Sequence, residues 1–227
     1  GVATICYADI DPDFHDEWKN GVHALFPEIE AGRDGATWGS IAAWAWGMSL
    51  GMDYLEKETS VDAKRVICQG HSRLGKTALW AGARDTRFAA VISNDSGAGG
   101  AALNKRIFGE TVARLNTSFP HWFCGNFKKY SGKEQDLAFD SHQLMALIAP
   151  RPLLITSATE DQWADPRGEF LGGLGADPVY RLLGTDGLAA KEQPAPDHLV
   201  NSIIGYFLRT GPHDVTRADW GAYLDFA

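Results

Sequence analysis

Short apolar runs that alternate with helical patterns limit the fold of this chain more than any other feature of its sequence. The runs are rich in valine, isoleucine and leucine and are nearly continuous, which is typical of strands covered on both faces. Strands that alternate with helices predict an α/β fold with a mostly parallel sheet and helices on both faces. The predicted strands are Val2–Tyr7, Arg65–Gln69, Ala89–Ser93 and Pro152–Ser157, with a weaker fifth at Ser202–Phe207. The predicted helices are Trp38–Leu55, Gly75–Ala83 and Gln143–Ile148.

A single domain is predicted over residues 1–227, because the chain contains no internal repeat, low-complexity tract or linker. A chain of this length is enough to bury one substantial core. The segment Phe108–Ala138 has several aromatic residues and no clean period, and it is predicted to be a loop-rich insertion near the functional site. Glycine clusters at Gly97–Gly100 and Gly172–Gly175 predict turns.

Composition excludes several classes of function. The formal net charge of −8 argues against a nucleic-acid partner. No apolar run reaches the roughly 18 residues that a membrane span needs, so no membrane partner is expected. The three cysteines are odd in number and lack metal-like spacing, so neither a disulfide framework nor a zinc site is predicted. No signal peptide is recognised in the sequence.

The segment Val66–Trp80 places a serine at the corner between a predicted strand and a predicted helix. In α/β hydrolases such a turn lifts a nucleophilic serine above the edge of the sheet, next to the N-terminus of the following helix. Gly70 occupies the usual place two residues before Ser72, whereas the second glycine comes three residues after it, at Gly75, and not two. Ser72 is therefore a candidate nucleophile, and the alternative is a serine that only caps a buried helix.

A nucleophilic serine needs a base and an acid, which follow in this fold in the chain order serine, acid, histidine. His213 lies just after the last strand-like segment, where the fold delivers its histidine. Two residues qualify as the acid. Asp161 follows the predicted strand Pro152–Ser157, and Asp95 follows the strand before it, so both are kept.

The segment Gly70-His-Ser-Arg-Leu-Gly-Lys76 resembles the G-C-S-R-x-G-K signature of glucuronoyl esterases, carbohydrate esterase family 15. The resemblance runs over nearly the whole chain, and its motifs occur together and in order. Further segments that resemble bacterial members are Asn94–Gly100, Phe119–Cys124, Ala149–Pro152, Glu160–Gly168 and Gly211–His213.

The resemblance implies roles for the residues around the corner serine. Ser72 would be the nucleophile and His213 the general base. Arg73 would hold the oxyanion through its backbone N–H and its guanidinium, because a fixed cation aimed at developing negative charge is most effective in a dry site.

The same resemblance implies a sugar-binding side of the site. Lys76, one helical turn after the serine, would bind sugar hydroxyls or the uronate. Glu110 would bind the sugar diol, and Trp163 would line the sugar pocket and donate its indole N–H. No metal or organic cofactor is expected.

The chain departs from the family pattern at three places. His71 stands where fungal members have a disulfide-bonded cysteine. Asp95 stands where members often carry glutamate, one methylene longer. The family's catalytic domain also has further N-terminal strands before the segment that resembles residues 2–11, so we expect this domain to lack them.

The expected function is hydrolysis of the ester between (4-O-methyl-)glucuronic acid of glucuronoxylan and a lignin alcohol, through an acyl-enzyme. A monomer is expected, and a secreted or periplasmic location is inferred from the substrate. The alternatives are another carbohydrate esterase, such as an acetyl xylan esterase, and a non-catalytic hydrolase homologue that only binds the carbohydrate. An inactive fragment is a third alternative.

Overall fold

The computed structural model describes residues 1–227, which form a four-stranded parallel sheet surrounded by helices. The strands lie side by side in sequence order, so that Cys68 pairs with Val91, Val91 with Leu153, and Leu153 with Ile204. The predicted α/β class is confirmed. The strands are β1 (Ile67–His71), β2 (Ala90–Asn94), β3 (Leu153–Ala158) and β4 (Ile204–Arg209).

Eight α-helices accompany the sheet. The helix α4 packs against β1 and β2, α7 packs against β3 and β4, and α8 also contacts β3 and β4. No helix combines the length and apolar character needed to cross a bilayer. The helices are α1 (Tyr7–Ile10), α2 (Pro27–Ala31), α3 (Ser40–Leu55), α4 (Arg73–Arg84), α5 (Val112–Ser118), α6 (Ser141–Ala146), α7 (Pro166–Leu182) and α8 (Arg217–Phe226).

The core lies on both faces of the sheet, because successive side chains of a strand point to opposite sides. Val91 and Leu153 belong to a large apolar cluster that contains Phe170 of α7. Their chain neighbours Ile92 and Leu154 pack instead with Tyr223 of α8. Burial on both faces explains why β2, β3 and β4 read as continuous apolar runs.

The predicted strand at Val2–Tyr7 is wrong. Residues 1–6 are exposed and pair with no strand, and α1 begins at Tyr7. A short apolar run alone does not specify a strand, because an extended segment is stabilised only where a neighbouring strand accepts its backbone hydrogen bonds.

The predicted turn at Gly172–Gly175 is also wrong, because these glycines lie inside α7. A Cβ atom on Gly172 would lie 2.2 Å from the carbonyl oxygen of Ala101, and one on Gly173 would lie 2.7 Å from Ile155 Cδ1. The glycines therefore serve close packing of α7 against its neighbours. The other cluster, Gly97–Gly100, forms a turn in which Gly97 has a φ of +60°.

The remaining predicted elements match the structure with small differences at their ends. The predicted helices correspond to α3, α4 and α6, and the four other predicted strands correspond to β1–β4. The insertion Phe108–Ala138 is loop-rich, but it contains α5 and two short 3₁₀ turns. Because all strands are parallel, their carboxyl ends meet at one edge of the sheet, and the candidate site lies there.

Candidate active site

Ser72 occupies a strained corner between β1 and α4. Its φ of 59° and ψ of −125° lie in a region that residues with a side chain rarely adopt. Its backbone N–H donates to the carbonyl oxygen of Asn94, at 2.8 Å, which ties the corner to the end of β2. Although Ser72 is the N-cap residue of α4, its hydroxyl caps no N–H group of the helix.

Two glycines make this corner possible. A Cβ atom on Gly70 would lie 1.8 Å from the carbonyl oxygen of Leu74, well inside contact distance. A Cβ atom on Gly75 would lie 2.9 Å from the carbonyl oxygen of Asn94. The second glycine is thus needed where α4 passes the end of β2, which explains its place three residues after the serine.

Replacing Gly70 with alanine is expected to destabilise the fold by at least about 3 kcal/mol, because the new methyl group would overlap a backbone oxygen that cannot move alone. The measurement is urea unfolding followed by circular dichroism. Gly221→Ala is the matched control, because a Cβ at this position of α8 meets nothing within 4 Å. That control is expected to be neutral or stabilising by up to about 1 kcal/mol. Equal stability of the two variants would contradict the packing argument.

His213 and Asp161 form a hydrogen-bonded pair beside the corner. The distance from His213 Nδ1 to Asp161 Oδ2 is 2.6 Å. The Asp161 side chain is 4% exposed, whereas the His213 side chain is 41% exposed. The other carboxylate oxygen of Asp161 accepts the backbone N–H of Ala164 at 3.2 Å. A buried carboxylate on Nδ1 favours the tautomer in which Nε2 is free to accept a proton.

Asp95 lies at the end of β2 and is also buried, but neither of its carboxylate oxygens accepts a hydrogen bond. One of its oxygens, one carboxylate oxygen of Asp161 and one ring nitrogen of His213 all lie within 4.8 Å of one another. Burial, followed by the charges of Glu169 and Asp161, raises the pKa of Asp95 to about 9. Asp95 is therefore protonated at neutral pH.

The Arg73 guanidinium is bound by Asp13, a residue that the sequence analysis missed. The same carboxylate accepts the indole N–H of Trp122 at 2.8 Å and is hydrogen-bonded to His121 Nε2 at 2.9 Å. The guanidinium carbon lies 5.0 Å from the centre of the Trp122 ring. Although burial alone would raise the pKa of Asp13, hydrogen bonds from His121 and Trp122 and the charge of Arg73 lower it to about 2. No local motif marks Asp13, since its partners lie far along the chain.

Lys76, Glu110 and Trp163 form a connected group of side chains near the corner serine. Lys76 Nζ lies 2.6 Å from Glu110 Oε2 and donates to the carbonyl oxygens of Ser96 and Ala98 at 2.5 and 2.8 Å. All three N–H groups of the buried ammonium thus have protein acceptors. The indole N–H of Trp163 donates to Glu110 Oε1 at 3.3 Å.

Glu169 is a second residue that the sequence analysis missed. This fully buried side chain in α7 accepts the backbone N–H groups of Ser96 and Gly97, at 2.7 and 3.0 Å, and the hydroxyl of Ser157, at 2.6 Å. Burial raises its pKa to about 7. Glu169 shapes the turn that follows Asp95, and its role arises from contacts that no sequence spacing reveals.

One cleft of about 360 Å³ brings together all eight residues singled out from the sequence. A smaller recess of about 280 Å³, lined by Tyr7, His71 and Leu74, adjoins it along Ser72, Arg73 and His213. The His71 and His213 rings are 4.4 Å apart. The eight residues of the cleft are Ser72, Arg73, Lys76, Asp95, Glu110, Asp161, Trp163 and His213.

Sequence comparison relates the chain to known esterases. Residues 18–184 match the family model described as glucuronyl esterase, fungi. The chain is 60% identical over 228 residues to a carbohydrate esterase from an unknown prokaryotic organism, a match that covers 100% of this chain and 52% of the relative. It is 32% identical to 4-O-methyl-glucuronoyl methylesterase 1 of Phanerochaete chrysosporium, with 92% of this chain and 47% of the relative covered. The chain thus spans about half the length of these curated relatives.

Structural comparison agrees with the sequence match. The fold superposes with a TM-score of 0.90 on a promiscuous CE15 esterase from a marine bacterial metagenome, at 59% identity, over 97% of this chain and 55% of that one. This likeness confirms the α/β-hydrolase fold expected from the strand-to-helix serine. The chain belongs to the glucuronoyl esterases, carbohydrate esterase family 15.

Proposed function

We propose that this chain is a serine esterase that hydrolyses esters of glucuronic acid. One observation carries the proposal: the strained serine, the His213–Asp161 pair and the Lys76–Glu110 pair line a single cleft. A lipase would need an apolar pocket, whereas this cleft offers charged and hydrogen-bonding groups to the acid part of the ester.

In the proposed first half-reaction, Ser72 Oγ attacks the ester carbonyl carbon and His213 Nε2 takes the hydroxyl proton. The Asp161 carboxylate holds Nδ1–H at 2.6 Å and stabilises the imidazolium that forms. The tetrahedral intermediate then collapses, and His213 gives its proton to the departing alkoxide. Water releases the glucuronoyl group from Ser72 by the same steps in reverse.

The negative charge of the tetrahedral intermediate develops next to Arg73. As the first residue of α4, Arg73 has a backbone N–H with no acceptor inside the helix. The positive end of the helix dipole adds to this favourable field. The guanidinium adds a positive charge, and its ion pair with Asp13 sets its orientation. We propose that both groups of Arg73 stabilise the oxyanion.

We propose Asp161, and not Asp95, as the acid of the triad. Asp161 hydrogen-bonds His213, whereas Asp95 accepts no hydrogen bond. The raised pKa of Asp95 also keeps it neutral at pH 7, and a neutral carboxyl provides no charge to oppose an imidazolium.

On the sugar side, we propose that Glu110 and Trp163 contact the glucuronate hydroxyls and that Lys76 holds Glu110 in place. The fungal relative is a 4-O-methyl-glucuronoyl methylesterase, which supports 4-O-methyl-glucuronate as the acid part. Lignin alcohols are the proposed leaving groups in the natural polymer. A substrate of that size requires an enzyme outside the cytoplasm, so export is part of the proposal.

Trp163→Ala is expected to raise KM for a glucuronate ester about tenfold and to change kcat less than about twofold. The side chain is 47% exposed and donates to Glu110, so its removal takes away binding surface without opening the core. Steady-state kinetics checks this prediction. Trp220→Ala is the matched control, because Trp220 is 40% exposed but lies on α8. A rise in KM of the same size in the control would contradict the proposed contact between Trp163 and the sugar.

The test of the proposed function is a comparison of three substrates: methyl glucuronate, benzyl glucuronate and an acetylated xyloside. Faster hydrolysis of the glucuronate esters is the expected result. Preference for the acetylated sugar would replace the proposal with a carbohydrate deacetylase. Comparable rates on all three would indicate an esterase of broad specificity. This is the second candidate function, because the similar bacterial esterase is described as promiscuous. Saturable binding without turnover would show a carbohydrate-binding homologue.

A further inference from the structure

The loop that carries His213 is held from inside the protein by Arg209, the last residue of β4. Arg209 is 3% exposed. Its Nη2 donates to the carbonyl oxygens of Pro212 and Asp214, at 2.6 and 3.1 Å. These two carbonyls belong to the residues on either side of His213. A single guanidinium nitrogen therefore fixes the main chain immediately before and immediately after the histidine.

The guanidinium also forms a buried ion pair with a carboxylate of α8, although its Nε donates no hydrogen bond. Arg209 Nε lies 2.8 Å from Oδ2 of Asp219, whose side chain is fully buried. The same oxygen accepts the backbone N–H and the hydroxyl of Thr216, at 2.7 and 2.8 Å, in the capping box that starts α8. The histidine loop is thus connected, through Arg209 and Asp219, to a helix that packs on the core.

The histidine loop is also tied to the loop that carries Asp161. The backbone N–H of Glu160 donates to the carbonyl oxygen of Gly211 at 2.9 Å. The N–H of Gly211 donates to the Thr159 hydroxyl at 3.0 Å. The His213 side chain is 41% exposed, so burial does little to hold it. Its placement depends on the hydrogen bond to Asp161 and on the main chain that Arg209 binds.

We propose that Arg209 is a positioning residue for the esterase reaction, which keeps the His213 imidazole in register with Asp161 and Ser72. The proposal rests on the assignment of His213 as the base. A planar guanidinium suits this task because its N–H groups point in fixed directions to several carbonyls at once, whereas an ammonium on a flexible stem does not. A displacement of about 1 Å in a reacting group is enough to lower a rate about 100-fold.

Arg209→Lys is the test variant, and Arg151→Lys is the matched control. Arg209 donates to a third carbonyl, that of Thr210, through Nη1. The Arg151 guanidinium likewise donates to three backbone carbonyls, those of Gly82, Asp85 and Phe88, but Arg151 precedes β3 at the opposite end of the sheet. Both variants are expected to lose stability. Only Arg209→Lys is expected to lower kcat, by roughly 10- to 100-fold at unchanged KM. Active sites are counted by burst titration with an activated ester, so that unfolded molecules do not enter kcat.

A proton NMR spectrum gives a readout that does not depend on turnover. The Nδ1–H of His213 in its 2.6 Å hydrogen bond to Asp161 should give a far-downfield resonance. The resonance is expected in the parent chain and in Arg151→Lys and is expected to be lost or broadened in Arg209→Lys. If the parent chain hydrolyses no ester, the proposed function fails, while this spectrum still decides the role of Arg209.

Two results would overturn the proposal. Equal kcat per titrated site and an intact resonance in both lysine variants would show that Arg209 serves the fold alone. A normal kcat in Arg209→Lys with a low one in Arg209→Gln would show that only the charge matters. If Arg209→Lys does not fold, Asp219→Asn replaces it, because this change leaves the guanidinium present but loosens its anchor. A fall in kcat at unchanged KM supports the proposal there, and an unchanged kcat contradicts it.

Discussion

Replacement of Ser72 by alanine is expected to lower kcat for benzyl glucuronate by about 10⁵-fold or more. In the proposed mechanism the acyl-enzyme forms only on the Ser72 hydroxyl, so loss of this nucleophile removes the covalent path itself. The side chain caps no N–H of α4, so its removal should leave the fold intact. Product formation is measured by chromatography, and folding by circular dichroism.

Ser72→Gly should also be inactive, yet more stable than the parent chain. Glycine adopts a φ of 59° without steric cost, so the substitution relieves strain of about 1–3 kcal/mol. The greater freedom of glycine in the unfolded chain offsets about 0.5–1 kcal/mol of this gain. A net stabilisation of about 1 kcal/mol is therefore expected in urea unfolding.

Ser60→Ala, a change in an exposed loop, is the control for both serine variants. It should keep the parent kcat and stability. Turnover that persists in Ser72→Ala at more than a trace would reject Ser72 as the nucleophile. A Ser72→Gly chain that is less stable than the parent would show that the corner is not strained.

Asp161→Asn is expected to lower kcat about 10⁴-fold. An amide at this position can donate to His213 Nδ1, which moves the ring proton to Nε2 and leaves that nitrogen unable to accept the proton of Ser72. Asp95→Asn replaces a neutral carboxyl with a neutral amide of the same shape, so less than about a tenfold loss is expected. The reverse order of the two effects would transfer the role of triad acid to Asp95.

The Asp95→Asn variant has a second expected effect, on stability. The folded-state pKa of Asp95, about 9, lies above its unfolded value of about 4. Its contribution to the free energy of unfolding is therefore complete below about pH 4 and is lost as the pH rises toward 9. The variant has no such loss. The stability of the variant relative to the parent should grow by about 2.7 kcal/mol between pH 6 and pH 8, as measured by urea unfolding. A constant difference across this range would show that Asp95 does not titrate as argued.

Much of the fold was predictable, because the signals that specify it are local. Burial on both faces of a parallel strand requires an apolar run, and this requirement revealed β2, β3 and β4. The half-buried β1 was recognised from a shorter apolar run before the serine corner. The serine corner was recognisable from Gly70 and the helical pattern that follows. Residues 2–6 show the limit of this reasoning, since an apolar run does not reveal whether a pairing strand is present.

The site was predictable only as far as motifs reach. The family motif and the chain order of the fold gave the eight residues that the cleft brings together. The choice between Asp95 and Asp161 depends on the hydrogen bond to His213 and on burial, which a sequence does not contain. Asp13, Glu169 and Arg209 act through partners on other elements. The spacing of residues along the sequence therefore does not identify them.

The Lys76–Glu110 pair has a consequence for the conditions under which the cleft can work. Its side chains are 3% and 7% exposed, so dissolved ions cannot come between them. Mobile ions weaken attractions between exposed charges over about 8 Å at physiological ionic strength, but they hardly affect a pair enclosed by protein. The geometry that Lys76 imposes on Glu110 should therefore be the same in dilute buffer and in brine. In the proposed function, recognition of the uncharged ester of a sugar acid should accordingly tolerate changes in ionic strength.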